Sequence, residues 1–192
     1  IRLGKPLIII FGLGSANGSR TGASPLAEMM ESLTKRPNIS VITCMGNEAN
    51  NKCHYKGTVT SALVPDVMEV NVDGTGKGFT MEIWAESLDI LSVSIESPSG
   101  EYVPRIPARM GASMEYTFLY EGSTVTVDYQ ITENVAGMEV IFVRLKTPVE
   151  GTWKFYIYSL TNIKGNYNAW LPLKQFSGQD IYFLKSDPDT TL

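Results

Sequence analysis

Few side chains in this 192-residue sequence could carry acid–base or metal chemistry. His54 is the single histidine, so a site with several histidine ligands is excluded. A Ser–His–Asp triad within the chain would have to use His54, with Ser61 and Asp66 nearby in sequence. The sequence has no G-x-S-x-G motif to present a serine nucleophile. We therefore expect His54 to be a surface or turn residue rather than a catalytic base.

The cysteines and the acidic residues near the C-terminus give little support for a metal site. Cys44 and Cys53 are too few for a four-cysteine zinc site, and their spacing is not C-x-x-C. A small disulfide remains open, but Cys44 lies in the apolar run 41–45, which favours a buried thiol there. Asp187 and Asp189 supply fewer oxygen atoms than the roughly six to eight that calcium takes. We expect no metal and no cofactor.

Two glycine-containing segments lie where a site could form. Gly12-Leu13-Gly14 begins like the G-x-G-x-x-G motif, but its sixth position is Asn17, and the predicted helix begins well beyond the loop. Nucleotide binding is therefore disfavoured. The segment 46–48, Gly-Asn-Glu, follows a predicted strand, and the amide of its asparagine, Asn47, could donate a hydrogen bond to a developing oxyanion. Composition alone favours a turn, because Gly and Asn are common turn residues.

Residues 1–55 alternate between strand and helix patterns. The run 7–11 is apolar at every position, as expected of a strand buried on both faces of a parallel sheet. Ser24-Pro25 reads as a helix start, an apolar stripe at helical spacing follows, and Pro37 ends the helix. The run 39–45 is a second apolar strand. These features predict a βαβ unit, and we expect it to be a piece of a larger α/β sheet.

From about residue 56 the apolar period changes to two. Apolar and polar residues alternate over 79–83, 91–96, 125–131 and 153–157, and turn residues separate these runs. This pattern predicts an antiparallel β-sandwich, and its length fits a jelly roll. The predicted fold class is therefore mixed: a βαβ fragment of a parallel α/β sheet in 1–55, a jelly-roll β-sandwich in 56–185 and a short return segment in 186–192.

Composition excludes several classes of protein. Apolar residues make up 43% of the chain, which argues against a disordered tail. The net charge of -4 argues against a nucleic-acid partner, which needs a basic surface. The longest uninterrupted apolar run, 7–11, is far shorter than the ~20 residues that span a bilayer, so we expect no membrane partner either.

The two glycine-containing segments together resemble the middle of a subtilisin-like serine protease. In that family one strand ends in Ser-Leu-Gly, whose backbone pairs with the substrate, and the next strand ends in Ala-Gly-Asn-Glu, whose asparagine lies in the oxyanion hole. The resemblance implies substrate pairing for Gly12, Leu13 and Gly14 and an oxyanion-hole role for Asn47. Gly12 replaces the usual serine, and residues 44–45, Cys-Met, replace the usual small residues of the S1 pocket.

The resemblance extends to the order of the segments. Subtilases of clostridial germination-protease type carry a jelly roll between the oxyanion asparagine and the nucleophilic serine, and a stretch similar to 186–192 leads back into their catalytic domain. In such proteases the catalytic Asp and His precede the equivalent of 7–11, and the serine follows the equivalent of residue 192. The resemblance therefore implies a central fragment that is inactive alone, whose parent acts on a peptide or protein substrate and is spore-associated or extracellular.

A non-catalytic β-sandwich module is the alternative function. Residues 97–101 and 151–155 resemble turn and strand signatures of the P domain that stabilises proprotein convertases, which favours a stabilising role in a protease or pseudoprotease. Glycan binding is a further possibility, through an aromatic face formed by Tyr55, Tyr116, Tyr120, Tyr156, Tyr158, Tyr167 and Trp170. Alternating aromatic residues in a sandwich are more often core residues and cross-strand pairs, which disfavours this function.

Overall fold

The computed structural model describes residues 5–19, 21–44, 46, 49–86, 88–132, 137–161 and 163–187. These residues form two helices, α1 (Pro25–Thr34) and α2 (Lys174–Ser177), and a short 3₁₀-helix at Ala49–Asn51. Their strands are β1 (Leu7–Phe11), β2 (Ile39–Thr43), β3 (His54–Thr58), β4 (Asp66–Asp73), β5 (Gly78–Glu86), β6 (Leu91–Glu96), β7 (Tyr102–Ile106), β8 (Ser113–Thr117), β9 (Thr124–Thr132), β10 (Met138–Lys146), β11 (Gly151–Ser159), β12 (Asn166–Trp170) and β13 (Asp180–Phe183).

Two antiparallel sheets make up most of the structure. One sheet has six strands in the order β3-β12-β5-β10-β9-β8, and the other has five in the order β13-β4-β11-β6-β7. Alternate residues of both sheets are buried against each other, as strands with a period of two require. The antiparallel β-sandwich predicted from the alternating pattern is confirmed.

Aromatic side chains fill the centre of the sandwich. The Trp153 ring packs edge-on against Phe118, with ring centroids 5.0 Å apart, and both side chains are fully buried. The Trp153 indole N–H donates to the Val149 carbonyl at 3.1 Å, so its one polar atom is paired. Edge-to-face geometry of this kind is favoured by the ring quadrupoles and adds to the area that the rings bury.

The predicted mixed fold class is wrong. Of the strands in the described residues, eleven belong to the two antiparallel sheets, and β1 and β2 form a separate two-stranded parallel sheet. No α/β sheet occurs in the part of the chain that the structure describes. An apolar run does not by itself require burial on both faces of a sheet, since Ile8 and Ile10 of β1 are 62% and 71% exposed.

The helix predicted between β1 and β2 is confirmed at both ends. The Ser24 hydroxyl accepts the Ala27 N–H at 3.2 Å, and Pro25 occupies the first helical turn, where its missing N–H costs nothing. The helix ends at Thr34, before Pro37. Its apolar stripe is not covered, since Leu26 is exposed and no residue of α1 is buried.

The loop between β1 and α1 is attached to the outer face of the six-stranded sheet. Ala16 is buried, and the Gly18 N–H donates to the Glu82 carboxylate at 2.9 Å. The same carboxylate oxygen accepts the Trp84 indole N–H at 2.9 Å. Glu82 is therefore a buried acceptor that holds this loop and a neighbouring tryptophan in place together.

Candidate functional site

The segment Gly12-Leu13-Gly14 directly follows β1, past the last residue that pairs with β2. The Cys44 N–H donates to the Phe11 carbonyl at 3.3 Å, and the Cys44 thiol donates to the Leu13 carbonyl at 3.6 Å. Within the described residues, no N–H group of the three-residue segment donates a hydrogen bond. The Leu13 side chain is 86% exposed, and a Cβ at Gly12 would meet nothing within 4 Å. Among the described residues, nothing therefore covers this backbone against the approach of an extended chain.

The proposed oxyanion residue cannot be placed in the same way. Asn47 lies outside the described residues, as do Met45 and Glu48, so their roles remain predictions from the sequence. Gly46 is described, and its φ of 84° is in the left-handed region that favours glycine.

The prediction of a buried thiol at Cys44 is wrong. Cys44 is exposed, Cys53 is buried, and neither forms a disulfide. Cys44 follows the last residue of β2, so it lies past the part of the strand that α1 contacts. The Cys53 thiol donates to the Asn51 carbonyl at 3.4 Å and lies at the edge of the sandwich core.

His54 is a buried residue at the start of β3, contrary to the expected surface or turn position. Its Nδ1 lies 3.0 Å from the Asp187 carbonyl oxygen, and its Nε2 lies 3.0 Å from Asn168 Oδ1. The ring packs on Trp170, with centroids 4.9 Å apart. These contacts connect the first strand of the sandwich to the segment that leaves it, and they occupy both ring nitrogens.

The serine and aspartate considered for a triad are engaged elsewhere. The Asp66 carboxylate accepts from the Tyr167 hydroxyl at 2.7 Å and from the Tyr55 hydroxyl at 3.1 Å. Burial, and then the charge of Asp66, raises the pKa of Tyr55 to about 12, and the pKa of Tyr167 is raised for the same reasons. The Ser61 hydroxyl accepts the Leu63 N–H at 3.2 Å. The described residues therefore contain no triad built on His54.

The aromatic residues considered for glycan binding do not share one face. Tyr55 and Tyr167 are buried in the sandwich core. Tyr156 and Tyr158 lie on the outer face of the five-stranded sheet together with Tyr102. Tyr102 is not among the aromatic residues predicted from the sequence. The Tyr102 and Tyr156 rings are 5.8 Å apart, and the hydroxyls of Tyr102 and Tyr158 are 3.4 Å apart. The turn at 97–100, which returns the chain from β6 into β7, was the signal that could have placed Tyr102 there.

Two charged residues lie next to the cluster of Tyr102, Tyr156 and Tyr158. The Glu96 carboxylate accepts from the Tyr156 hydroxyl at 2.5 Å and from the Lys154 ammonium at 2.9 Å. These two hydrogen bonds lower the pKa of Glu96, and the bond to Glu96 raises the pKa of Tyr156 to about 12. The carboxylate is thus already paired and is a poor general acid.

Two buried carboxyl groups connect the sheets at one end of the sandwich. Burial of Asp89 acts to raise its pKa, but its hydrogen bonds together outweigh burial and lower the pKa; they include those from the N–H groups of Ile163 and Gly165, at 2.7 Å each. Glu139 on β10 accepts the Leu91 N–H of the opposite sheet at 2.8 Å, and burial raises its pKa to about 7. Its other oxygen, Oε1, has no hydrogen-bond partner within the described residues.

In the described ranges, no group of three or more His, Cys, Asp and Glu side chains is arranged to hold a metal ion. Neither described helix is long and apolar enough to cross a membrane.

Comparison with known proteins identifies the fold but not the family. No protein-family model matches the sequence, and no curated protein is significantly similar to it in sequence. Among solved structures, the chain is similar to the CspB protease of Clostridium perfringens, with a TM-score of 0.82 and 22% sequence identity. The match covers 97% of this chain and 39% of the CspB chain. The protein therefore has the fold of part of a protease and spans well under half of that protease's length.

Proposed function

We propose that this chain is the central part of a subtilisin-like serine endopeptidase. The observation that carries the proposal is the Gly12–Gly14 segment, which follows β1 with exposed residues in a fold similar to part of a protease. In this proposal residues 1–55 belong to the catalytic domain, 56–185 are an inserted jelly roll, and 186–192 return to the catalytic domain.

The Gly12–Gly14 segment would bind an extended peptide by adding it as a strand. An added strand is held through main-chain hydrogen bonds, while side-chain pockets supply specificity. Glycine on either side of Leu13 permits close approach of the substrate backbone, because no Cβ stands in the way. A peptide or protein segment is therefore the substrate class that suits this backbone.

Asn47 would stabilise the tetrahedral oxyanion by donating its side-chain amide. Such a donor acts most strongly where negative charge develops in the transition state, so its loss lowers kcat more than it raises KM. The Asp, His and Ser of the triad would come from sequence outside these 192 residues. We therefore expect no peptide hydrolysis by the chain alone.

The test is peptide hydrolysis by the full-length protein that contains this chain. Asn47→Ala should lower kcat with a much smaller change in KM, and Asn50→Ala, an exposed neighbour, should leave both near wild type. An unchanged kcat in Asn47→Ala would remove the oxyanion assignment. A full-length protein that hydrolyses no peptide under any condition would overturn the endopeptidase proposal.

A second candidate function is stabilisation of the N-terminal segment by the sandwich. It is favoured by the hydrogen bond from Gly18 to buried Glu82, because the loop that bears Gly18 directly follows the proposed substrate-pairing backbone. Glu82→Ala should speed amide hydrogen exchange at Gly18, whereas Glu115→Ala on exposed β8 should not. Equal exchange in both variants would show that the sandwich does not order this loop.

A further inference from the structure

A cavity of about 260 Å³ opens on the outer face of the five-stranded sheet. It lies beside β6 and β7, on the sheet opposite the one that Gly18 contacts. Its lining is mostly apolar with one charged side chain, and consists of Ile90, Ser92, Arg105, Pro107, Ala108 and Leu160. The volume is slightly below the ~300 Å³ at which drug-sized pockets begin, so a small ligand or one end of a larger one suits it.

The single charge in this lining, on Arg105, has no carboxylate partner within the described residues. Two other basic side chains on strands do have one: Arg144 pairs with Asp128, and Lys154 pairs with Glu96 at 2.9 Å. The chain as a whole is acidic, with a net charge of -4. An unpaired guanidinium in an acidic protein is a local positive site that an anion can neutralise.

Two contacts fix the orientation of the guanidinium. Its Nε donates to the Ser92 hydroxyl at 2.6 Å, and Ser92 is buried. The group also lies over the Tyr158 ring, 4.8 Å from the centroid. Both contacts leave the Nη groups of Arg105 without an acceptor among the described residues. A carboxylate suits these donors, because a guanidinium presents parallel N–H groups that match its two oxygens.

Most of the other lining residues are apolar, so they suit an apolar group attached to that carboxylate. Ile90 directly precedes β6 and Leu160 directly follows the neighbouring β11, and the Leu160 N–H donates to the Ile90 carbonyl at 2.9 Å. Leu160 is 64% exposed although it is a large aliphatic residue. Covering it with an apolar group would remove apolar surface from water, which favours binding.

We propose that this cavity binds a carboxylate attached to an aliphatic group. Arg105 pairs with the carboxylate, and Ile90, Pro107 and Leu160 contact the aliphatic part. A free aliphatic acid and the C-terminal leucine of a peptide both present this chemistry. The proposal does not depend on protease activity, since none of these residues belongs to the Gly12–Gly14 segment.

The test is titration of the ¹⁵N-labelled chain, followed by ¹H–¹⁵N NMR that includes the Arg105 Nε–H resonance. The probes are octanoate and the peptide acetyl-Gly-Gly-Leu, each compared with its neutral amide. We expect saturable shifts at Arg105 and Leu160 with one or both carboxylates, and at least about tenfold weaker binding of the matched amide, because hydrogen bonds to charged groups are the stronger ones. Binding by octanoate alone identifies a free acid as the ligand class, and binding by the peptide identifies a chain terminus.

Variants separate recognition at Arg105 from a change in folding. Arg105→Gln should weaken carboxylate binding at least about tenfold, while Lys146→Gln, at an exposed position on the other sheet, should not. Equal binding of acid and amide by the wild-type chain overturns the proposal, even where Arg105→Gln fails to fold. Absence of saturable shifts with both carboxylates, or unchanged affinity in folded Arg105→Gln, overturns it as well.

Discussion

Glu139 should make the stability of the sandwich fall as the pH rises through the weakly acidic range. Burial of its carboxyl, with a further contribution from the charge of Asp89, raises its pKa from 4.5 to about 7, although the Leu91 N–H opposes this effect. The folded protein therefore keeps a proton that the unfolded chain releases above pH 4.5. We predict that Glu139→Gln removes this pH dependence.

The size of the effect follows from the two pKa values. The favourable contribution of protonated Glu139 is fully present below pH 4.5 and is lost as the pH rises to about 7. Each pKa unit corresponds to about 1.4 kcal/mol, so the loss amounts to about 3 kcal/mol of the free energy of unfolding. The neutral amide of glutamine still accepts the Leu91 N–H through its oxygen, and it cannot ionise.

Urea unfolding at about pH 4.5 and about pH 8, followed by tryptophan fluorescence, measures this effect. The free energy of unfolding of Glu139→Gln relative to wild type should rise by about 3 kcal/mol between the two conditions. Comparison with wild type cancels the carboxylates that act in the opposite direction, such as Asp89 and Glu96. Glu150→Gln, at an exposed position, is the matched control and should show almost no change. A relative stability that is the same at both pH values would refute the assignment of Glu139 as a buried acid.

Two further predictions concern stability alone. Asp89→Asn should destabilise the protein by about 2–3 kcal/mol at neutral pH, because a carboxylate that accepts several backbone N–H groups is replaced by an amide with one acceptor oxygen. Because the pKa of Asp89 is lowered, the loss of stability in Asp89→Asn should become smaller as the pH falls and the wild-type carboxylate is protonated. Urea unfolding of both proteins at neutral and at acidic pH measures this, and a stability difference that does not change with pH would contradict it. Gly78→Ala should destabilise far more than Gly100→Ala. Both glycines have positive φ, but a Cβ at Gly78 would lie 1.9 Å from the Leu145 carbonyl oxygen, whereas Gly100 has open space; equal melting temperatures would contradict this.

The strands of the sandwich were predictable because burial on one face imposes a period of two. Phe79, Met81 and Ile83 are all buried, as their alternation with polar residues requires. The helix start was predictable for a local reason, since the Ser24-Pro25 pair acts within one turn. Such signals depend only on neighbours along the chain.

Long-range polar contacts could not be predicted in this way. Glu139 and Leu91 are 48 residues apart, and Asp89 and Gly165 are 76 apart, so no local pattern connects them. The same limit explains the error at His54, whose burial depends on residues as much as 133 positions away. For the candidate site, the sequence motif indicated Gly12–Gly14, and the exposure of that backbone was visible only in the structure.

The contact between His54 and Asp187 bears on the chain entropy that would be lost if the sandwich were inserted in a longer chain. The Asp187 N–H donates to the His54 carbonyl at 3.0 Å, so the chain leaves the sandwich beside the point where it enters. Closing a flexible loop of 133 residues between the same points would cost about 4 kcal/mol in chain entropy. Burial of apolar side chains in the sandwich core offsets this loss of entropy. In the proposed protease the sandwich would therefore add little entropy loss to the folding of the surrounding domain, because the chain enters and leaves it at adjacent positions.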